Sequence, residues 1–177
     1  MNIEKYTQNA QQAVMECQNI AISEGHQMLD GEHLHMALLM QKDGLIPKLL
    51  KYMNVDATAM IADVEEELEK LPKVSGNADN MYSSRRLSQI LMRAEKIAEE
   101  FKDEYVSVEH LYIALLEEKG TPSAKIFAKY NITKNKFLEA LSKVRGNQRV
   151  TSQNPEDNYD ALNKYGRDLV EMAREGK

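Results

Sequence analysis

The chain writes one helical unit twice. Asp30-Gly31-Glu32-His33-Leu34, running on to Ala37-Leu38-Leu39, returns as Ser107-Val108-Glu109-His110-Leu111, running on to Ala114-Leu115-Leu116. Glu109 stands 77 positions after Glu32. The same shift, without a gap, pairs Met15 with Met92, Ile20-Ala21 with Ile97-Ala98, Lys42 with Lys119, Lys48 with Lys125 and Asn54 with Asn131. A period held over so many positions restricts the fold to two copies of one unit, closed on each other as a pseudo-symmetric domain. With 177 residues, 42% of them hydrophobic and few glycines or prolines, the chain is long enough to bury one core.

Helical spacing places four helices in each copy, eight in all, and an all-α fold class. Thr7 is the expected cap of the first helix and Ser83 or Ser84 that of its counterpart, whose apolar stripe runs Leu87, Ile90-Leu91, Ala94, Ile97-Ala98 and Phe101. Asp30 and Ser107 cap the second helices, which sets Glu32 and Glu109 in the first turn beside the positive end of the helix dipole. The third helices hold Leu49-Leu50 and Ile126-Phe127, the latter opened by Thr121-Pro122. Asp56 and Thr133 cap the fourth, with Ile61, Val64 and Leu68 facing inward in one copy and Phe137, Leu138, Leu141 and Val144 in the other. Cys17 falls on the apolar stripe where the second copy has Ala94, a small buried hydrophobe rather than a reactive thiol.

The periodicity breaks at Leu71-Pro72-Lys73-Val74-Ser75-Gly76-Asn77, because Pro72 disfavours helix continuation and Gly76-Asn77 suits a turn. Repeat one is thus expected over 1–71, a link over 72–82, and repeat two over 83–145. Beyond Gly146 the stretch 147–158 is polar and reads as a flexible connector. Residues 159–177 regain a weak helical stripe through Leu162, Tyr165, Leu169 and Met172-Ala173, a partial helix that reads as the lead-in to a further module.

Several function classes are disfavoured. A net charge of -5, with basic residues interleaved among acids, lacks the clustered Lys and Arg that phosphate neutralisation needs, so no nucleic-acid partner is expected. No apolar stretch approaches the roughly 18 residues of a membrane span, and Met1-Asn2-Ile3-Glu4-Lys5 is unlike a signal peptide; a cytoplasmic address and no membrane partner are the expectation. His33 and His35 are two apart and point to different sides of a helix, which makes His26, His33, His35 and His110 structural or exposed rather than metal ligands. Glu32 and Glu109 resemble a carboxylate pair, but duplication explains their likeness and the helix dipole their position, so no catalytic residue is expected. The run Glu65-Glu66-Glu67 with Glu69-Lys70 is a solvated helix face. The ten methionines are read mainly as core filler, with an adaptable binding surface as the alternative.

The doubled Glu-His-Leu-x-x-Ala-Leu-Leu pattern resembles the amino-terminal domain of the Clp ring ATPases. Leu71-Pro72-Lys73-Val74-Ser75-Gly76 resembles the inter-repeat link of ClpB-type disaggregases, and Tyr159 to Leu169 with Ala173-Arg174-Glu175-Gly176-Lys177 resembles the segment leading to their first ATPase module. The resemblance implies a mobile domain on a hexameric unfoldase that engages unfolded or aggregated polypeptide and passes it to the ring pore, beside the DnaK chaperone system. ATP and magnesium would belong to the ATPase modules. This chain has no Gly-x-x-x-x-Gly-Lys-Ser/Thr loop, so no cofactor is expected in it. On its own it is expected to be a monomer, since its repeats satisfy each other's apolar faces.

By the same resemblance, an apolar substrate groove lies near the start of the first helix and the first helices of the second copy. The matching residues are Thr7, Asp103 and Glu109, with Leu91 as apolar floor and Val108 and Tyr112 added from their position. Each also has a plain structural reading: Thr7 as a cap, Glu109 as a dipole partner, Asp103 as a loop residue, Leu91 as core. The alternative role is that of ClpC-type domains, which dock a protease adaptor or phosphoarginine-tagged substrates. Those domains carry Thr before each Glu of the repeat, where this chain has Gly31 and Val108. A third reading is a structural module that regulates the ring without touching substrate.

Overall fold

A computed structural model describes residues 2–74, 80–146 and 148–155. After a short 3-10 turn at Ile3–Lys5 come α1 (Gln8–Glu24), β1 (Met28–Leu29), α2 (Gly31–Leu39), α3 (Leu45–Tyr52) and α4 (Ala57–Glu69). The second copy follows with β2 (Tyr82–Ser83), α5 (Arg85–Glu100), α6 (Val108–Glu117), α7 (Pro122–Lys129) and α8 (Lys134–Arg145). The expected caps are in place. Thr7, Asp56, Thr121 and Thr133 each accept a backbone N–H from the first turn, and Ser84 rather than Ser83 caps α5. The turns repeat as well: left-handed backbone occurs at Gly25 and Lys102, at Asp43 and Gly120, and at Asn54 and Asn131, each pair related by the repeat shift.

Helices α2 and α6 form the centre. Every residue of α2 and all but the last two of α6 are buried, the mark of a helix with neighbours on all sides. They touch across the pseudo-twofold axis, α3 packs on α6 as α7 packs on α2, and α4 meets α7 as α8 meets α3. On the axis His35 meets its own counterpart, its Nε2 2.9 Å from the Tyr112 hydroxyl. Cys17 is buried among alanines, and burial pushes its thiol up to about 12. Of the methionines, Met36 and Met60 are fully buried, whereas Met15, Met40 and Met92 stand on outward faces, so core filling accounts for fewer of them than expected.

Two features depart from the sequence reading. The first is a pair of short parallel strand contacts in an otherwise helical fold: β1 pairs with β2, and Tyr6 bridges Val106 in the same sense. Two residues are too few for an alternating pattern to show in sequence. Both contacts cross between repeats, so the segment that opens each repeat is held by the other. The second departure is the connector. Residues 148–155 lie against the body: Val150 is buried, its N–H donates to Asp103 Oδ1 at 2.9 Å, and its carbonyl accepts from Glu104 N–H at 2.8 Å. Gln153 then accepts from Gln8 N–H at 2.8 Å. Backbone and side-chain hydrogen bonds, together with buried Val150 and Pro155, hold the segment, which its polar composition does not reveal. The turn expected at Gly76-Asn77 and the stripe expected over 159–177 lie outside the described residues.

Candidate binding cleft and the polar clusters beside it

Each repeat builds a polar cluster at the start of its central helix. His33 Nδ1 accepts the Asp30 backbone N–H at 2.9 Å, and His110 Nδ1 accepts that of Ser107 at 2.9 Å. With Nδ1 so occupied, each neutral imidazole carries its proton on Nε2 and donates from there. The acceptors are counterparts too: His26 Nδ1 at 3.0 Å in the first repeat, and Asp103 Oδ2 at 2.7 Å in the second. Burial, with His26 alongside, lowers the His33 pKa to about 4. Asp103 also receives the Arg145 guanidinium and the Val150 N–H. Burial alone would raise its pKa, but the bonds from His110, Val150 and Arg145 outweigh burial and hold it below the usual carboxylate value.

The two glutamates of the repeat are closed in. Glu109 accepts the Ser107 hydroxyl, and its other oxygen is 3.8 Å from Arg145. Glu32 accepts from Ser123 Oγ at 3.2 Å and lies 3.9 Å from Arg86; burial and then Asp30 raise its pKa against the pull of those two. A polar chain runs on from it. Ser123 Oγ, as donor to Glu32, accepts from His35 Nδ1 at 3.0 Å, which leaves His35 Nε2 to accept the Tyr112 hydroxyl. A guanidinium tag approaching Glu32 or Glu109 meets carboxylates that are already engaged.

Outside the second cluster lies an open cleft of about 440 Å³ between the amino-terminal turn, α5 and the segment 103–106. Asn2, Lys5, Glu95, Glu99, Asp103 and Tyr105 line it. The Tyr6 hydroxyl donates to Glu95 at 3.3 Å from beneath. Charges rim the cleft, and only Ala98, Tyr105 and Val106 offer apolar surface, unlike the apolar groove that was expected.

Of the residues expected to bind substrate, Asp103 alone lines this cleft. Thr7 is buried one step behind the wall, its hydroxyl capping α1 and its N–H donating to Val106 O at 2.9 Å. Glu109 is buried in the adjoining cluster, and Val108 is buried beside it on the first turn of α6. Leu91 is half-buried against the core, and α5 turns Glu95, Ala98 and Glu99 to the cleft instead. Tyr112 is carried away to the axis, between His35, Phe127 and Phe137. The sequence reading missed Lys5, Glu95, Glu99 and Arg145. Charges on an outward helix face carry no signal of a cleft, and Arg145 reads as an ordinary partner of the α8 dipole. Among the described residues, the one group of side chains close enough to share a cation is Glu24, Glu65 and Glu69, a surface cluster that includes no histidine. No helix among the described residues is long and apolar enough to cross a membrane.

A pseudo-twofold, all-α domain made from a duplicated four-helix unit is the class this architecture defines. The chain belongs to the Clp repeat (R) N-terminal domain family, which matches residues 5–130. Two curated relatives, both named chaperone protein ClpB, are 45% identical over 180 residues in Clostridium tetani and 49% identical over 181 residues in Nitratidesulfovibrio vulgaris. Each alignment takes in 100% of this chain and 21% of the relative, so the chain spans about a fifth of their length. Among solved structures, the Hsp104 N-terminal domain from Candida albicans superposes with a TM-score of 0.76 at 24% identity, covering 86% of this chain and 99% of that one.

Proposed function

We propose that this domain is the polypeptide-capturing element of a ClpB-type disaggregase, binding unfolded or aggregated chains and handing them to an ATPase ring beside a DnaK-type chaperone. The observation that carries this reading is the open cleft lined by Asp103, one of the residues the family resemblance assigns to substrate. Its backbone wall at Glu104–Val106 and its charged rim suit an extended chain held by polar contacts, with Tyr105 and Val106 meeting apolar side chains. Thr7 and Glu109 act as positioning residues: Thr7 fixes Val106, and Glu109 with Arg145 fixes Asp103. A single cleft of this size gives weak, transient capture, which several copies on a ring strengthen through effective concentration.

The test is an NMR titration of the isotope-labelled chain with a permanently unfolded protein. Saturable shifts are expected at Lys5, Glu95, Glu99, Tyr105 and Val106, and the variant Glu99→Lys, at an exposed side chain, should weaken binding several-fold with an unchanged melting temperature. Absence of shifts at high excess would leave adaptor docking or a structural role in its place.

A further inference from the structure

In both repeats the segment that leaves the fourth helix returns to the turn that ends the first. Repeat one does this with Val74, whose N–H donates to Gly25 O at 2.8 Å at the end of α1. Repeat two does it with the connector. Arg149 Nη1 donates to Phe101 O at 2.8 Å, the Val150 N–H donates to Asp103 Oδ1 at 2.9 Å, and Val150 O accepts the Glu104 N–H at 2.8 Å. Arg145 secures the crossing from the end of α8, with its guanidinium on Asp103 and its Nε donating to Gln148 O at 2.8 Å. The connector is thus the closing segment of the duplicated unit, although its composition is that of a linker.

What it closes is the wall of the charged cleft. Residues 103–106 hang between α5 and the cap of α6, with left-handed backbone at Lys102 leading into them. The amino-terminal turn holds the far end, where the Val106 N–H donates to Lys5 O at 2.8 Å and Val106 O accepts the Thr7 N–H at 2.9 Å. At Glu104 the fastening comes from the connector, through Val150 O. The Asp103 side chain has no exposed surface, so a polypeptide in the cleft meets the backbone of this wall rather than the carboxylate behind it. Between its buried residues Val150 and Pro155 the connector is mostly exposed, which places it among the segments that open at low cost.

We infer that connector residues 149–153 are positioning residues of the cleft, and that polypeptide binding and connector docking favour each other. This rests on the polypeptide-capture reading and adds its regulation. Docked, the connector anchors Glu104 and presents the wall in the binding geometry; released, it leaves Glu104 without that anchor and Asp103 without one of its donors. The coupling is reciprocal, so an occupied cleft holds the connector down as firmly as the connector supports the cleft. Docking also sets the length of a tether. Whatever follows Pro155 starts from beside Gln8 when residues 148–155 are docked, and from the end of α8 when they are not. For a flexible chain of that length the difference in reach is roughly 15 Å. Capture therefore draws the tether in.

The test follows amide exchange at Glu104 and Val150 by NMR in the whole chain, with and without a permanently unfolded protein, a reduced and carboxymethylated chain. At saturation, exchange at both amides is expected to slow at least about fivefold, the low end of ordinary couplings. A connector that only stabilised the fold would not respond to ligand. Val150→Asp, which sets a second carboxylate against Asp103 and so releases the connector, should weaken binding by the same factor while the amide of Tyr112 on the axis stays in place. Arg149→Ala, at an exposed side chain, should weaken it in part, and decides the point if the buried substitution unfolds the domain. Unchanged or faster exchange at Val150, with saturable shifts at Lys5 and Glu99, overturns the coupling and leaves capture standing. So does a folded Val150→Asp variant that loses protection at Glu104 yet binds like the parent. If the unfolded protein moves nothing in the cleft, the capture reading falls and the coupling with it.

Discussion

His33 and His110 each turn Nδ1 back to the backbone amide of the helix cap and direct Nε2 at the residue seven positions upstream. One repeat answers with a neutral imidazole and the other with a carboxylate anchored by Arg145, so the same scaffold position is uncharged in one copy and ionic in the other. The uncharged version has a pH cost. Burial holds the native pKa of His33 near 4 and that of His35 near 3, against an ordinary 6.5, so between those values the unfolded chain binds more protons than the folded one. Stability therefore rises with pH across that window and falls as pH drops from 6.5 toward 4, each histidine contributing about 1.4 kcal/mol per pH unit. Glu32, with its raised pKa, works in the opposite sense, losing stability as pH rises through that value, and Asp103 matters only below its ordinary 3.8. Urea midpoints at pH 7, 6 and 5 should fall steadily, and His35→Gln should flatten the slope; a midpoint level over that range would contradict buried neutral imidazoles. The histidines were legible as structural. Their partners were not, because only the folded chain brings His26 to His33 or Tyr112 to His35.

At the scale of elements, the sequence carried the eight helices and most of their caps, since Thr7, Asp30, Asp56, Ser107, Thr121 and Thr133 stand where the apolar periodicity begins. It did not carry how helices approach. Gly31 reads as a mere absence of a hydroxyl before Glu32, yet a Cβ there would lie 3.1 Å from Ile90 Cδ1 and 3.6 Å from Leu115 Cδ2. The counterpart position holds Val108, and the counterpart of Ile90 is Ala13, so small and large residues have changed places between the two copies. Gly31→Val is expected to cost about 2 kcal/mol through overpacking. Combined with Ile90→Ala it should cost less than the sum of the two single changes in a urea double-mutant cycle. Strict additivity would show that the two sites do not press on each other.

For the whole molecule, the groove and the connector show where composition misleads. A polar stretch looked detachable, but buried Val150 and Pro155 and a few hydrogen bonds fasten it beside the very carboxylate that lines the cleft. Val150→Ala should lower stability by about 2 kcal/mol, measured by urea unfolding, and loosen Asp103 at the same time. An effect below experimental error would mean the segment merely rests there. The crossed strand contacts have a wider effect. Tyr6 is held by Val106, and Leu29 by Ser83, so neither half of the duplication is finished without the other. When the ribosome releases the first repeat, the edges at Tyr6 and Leu29 have no partners until the second repeat has left the exit tunnel. A protein of this family thus begins life as the kind of incomplete chain that a chaperone exists to attend.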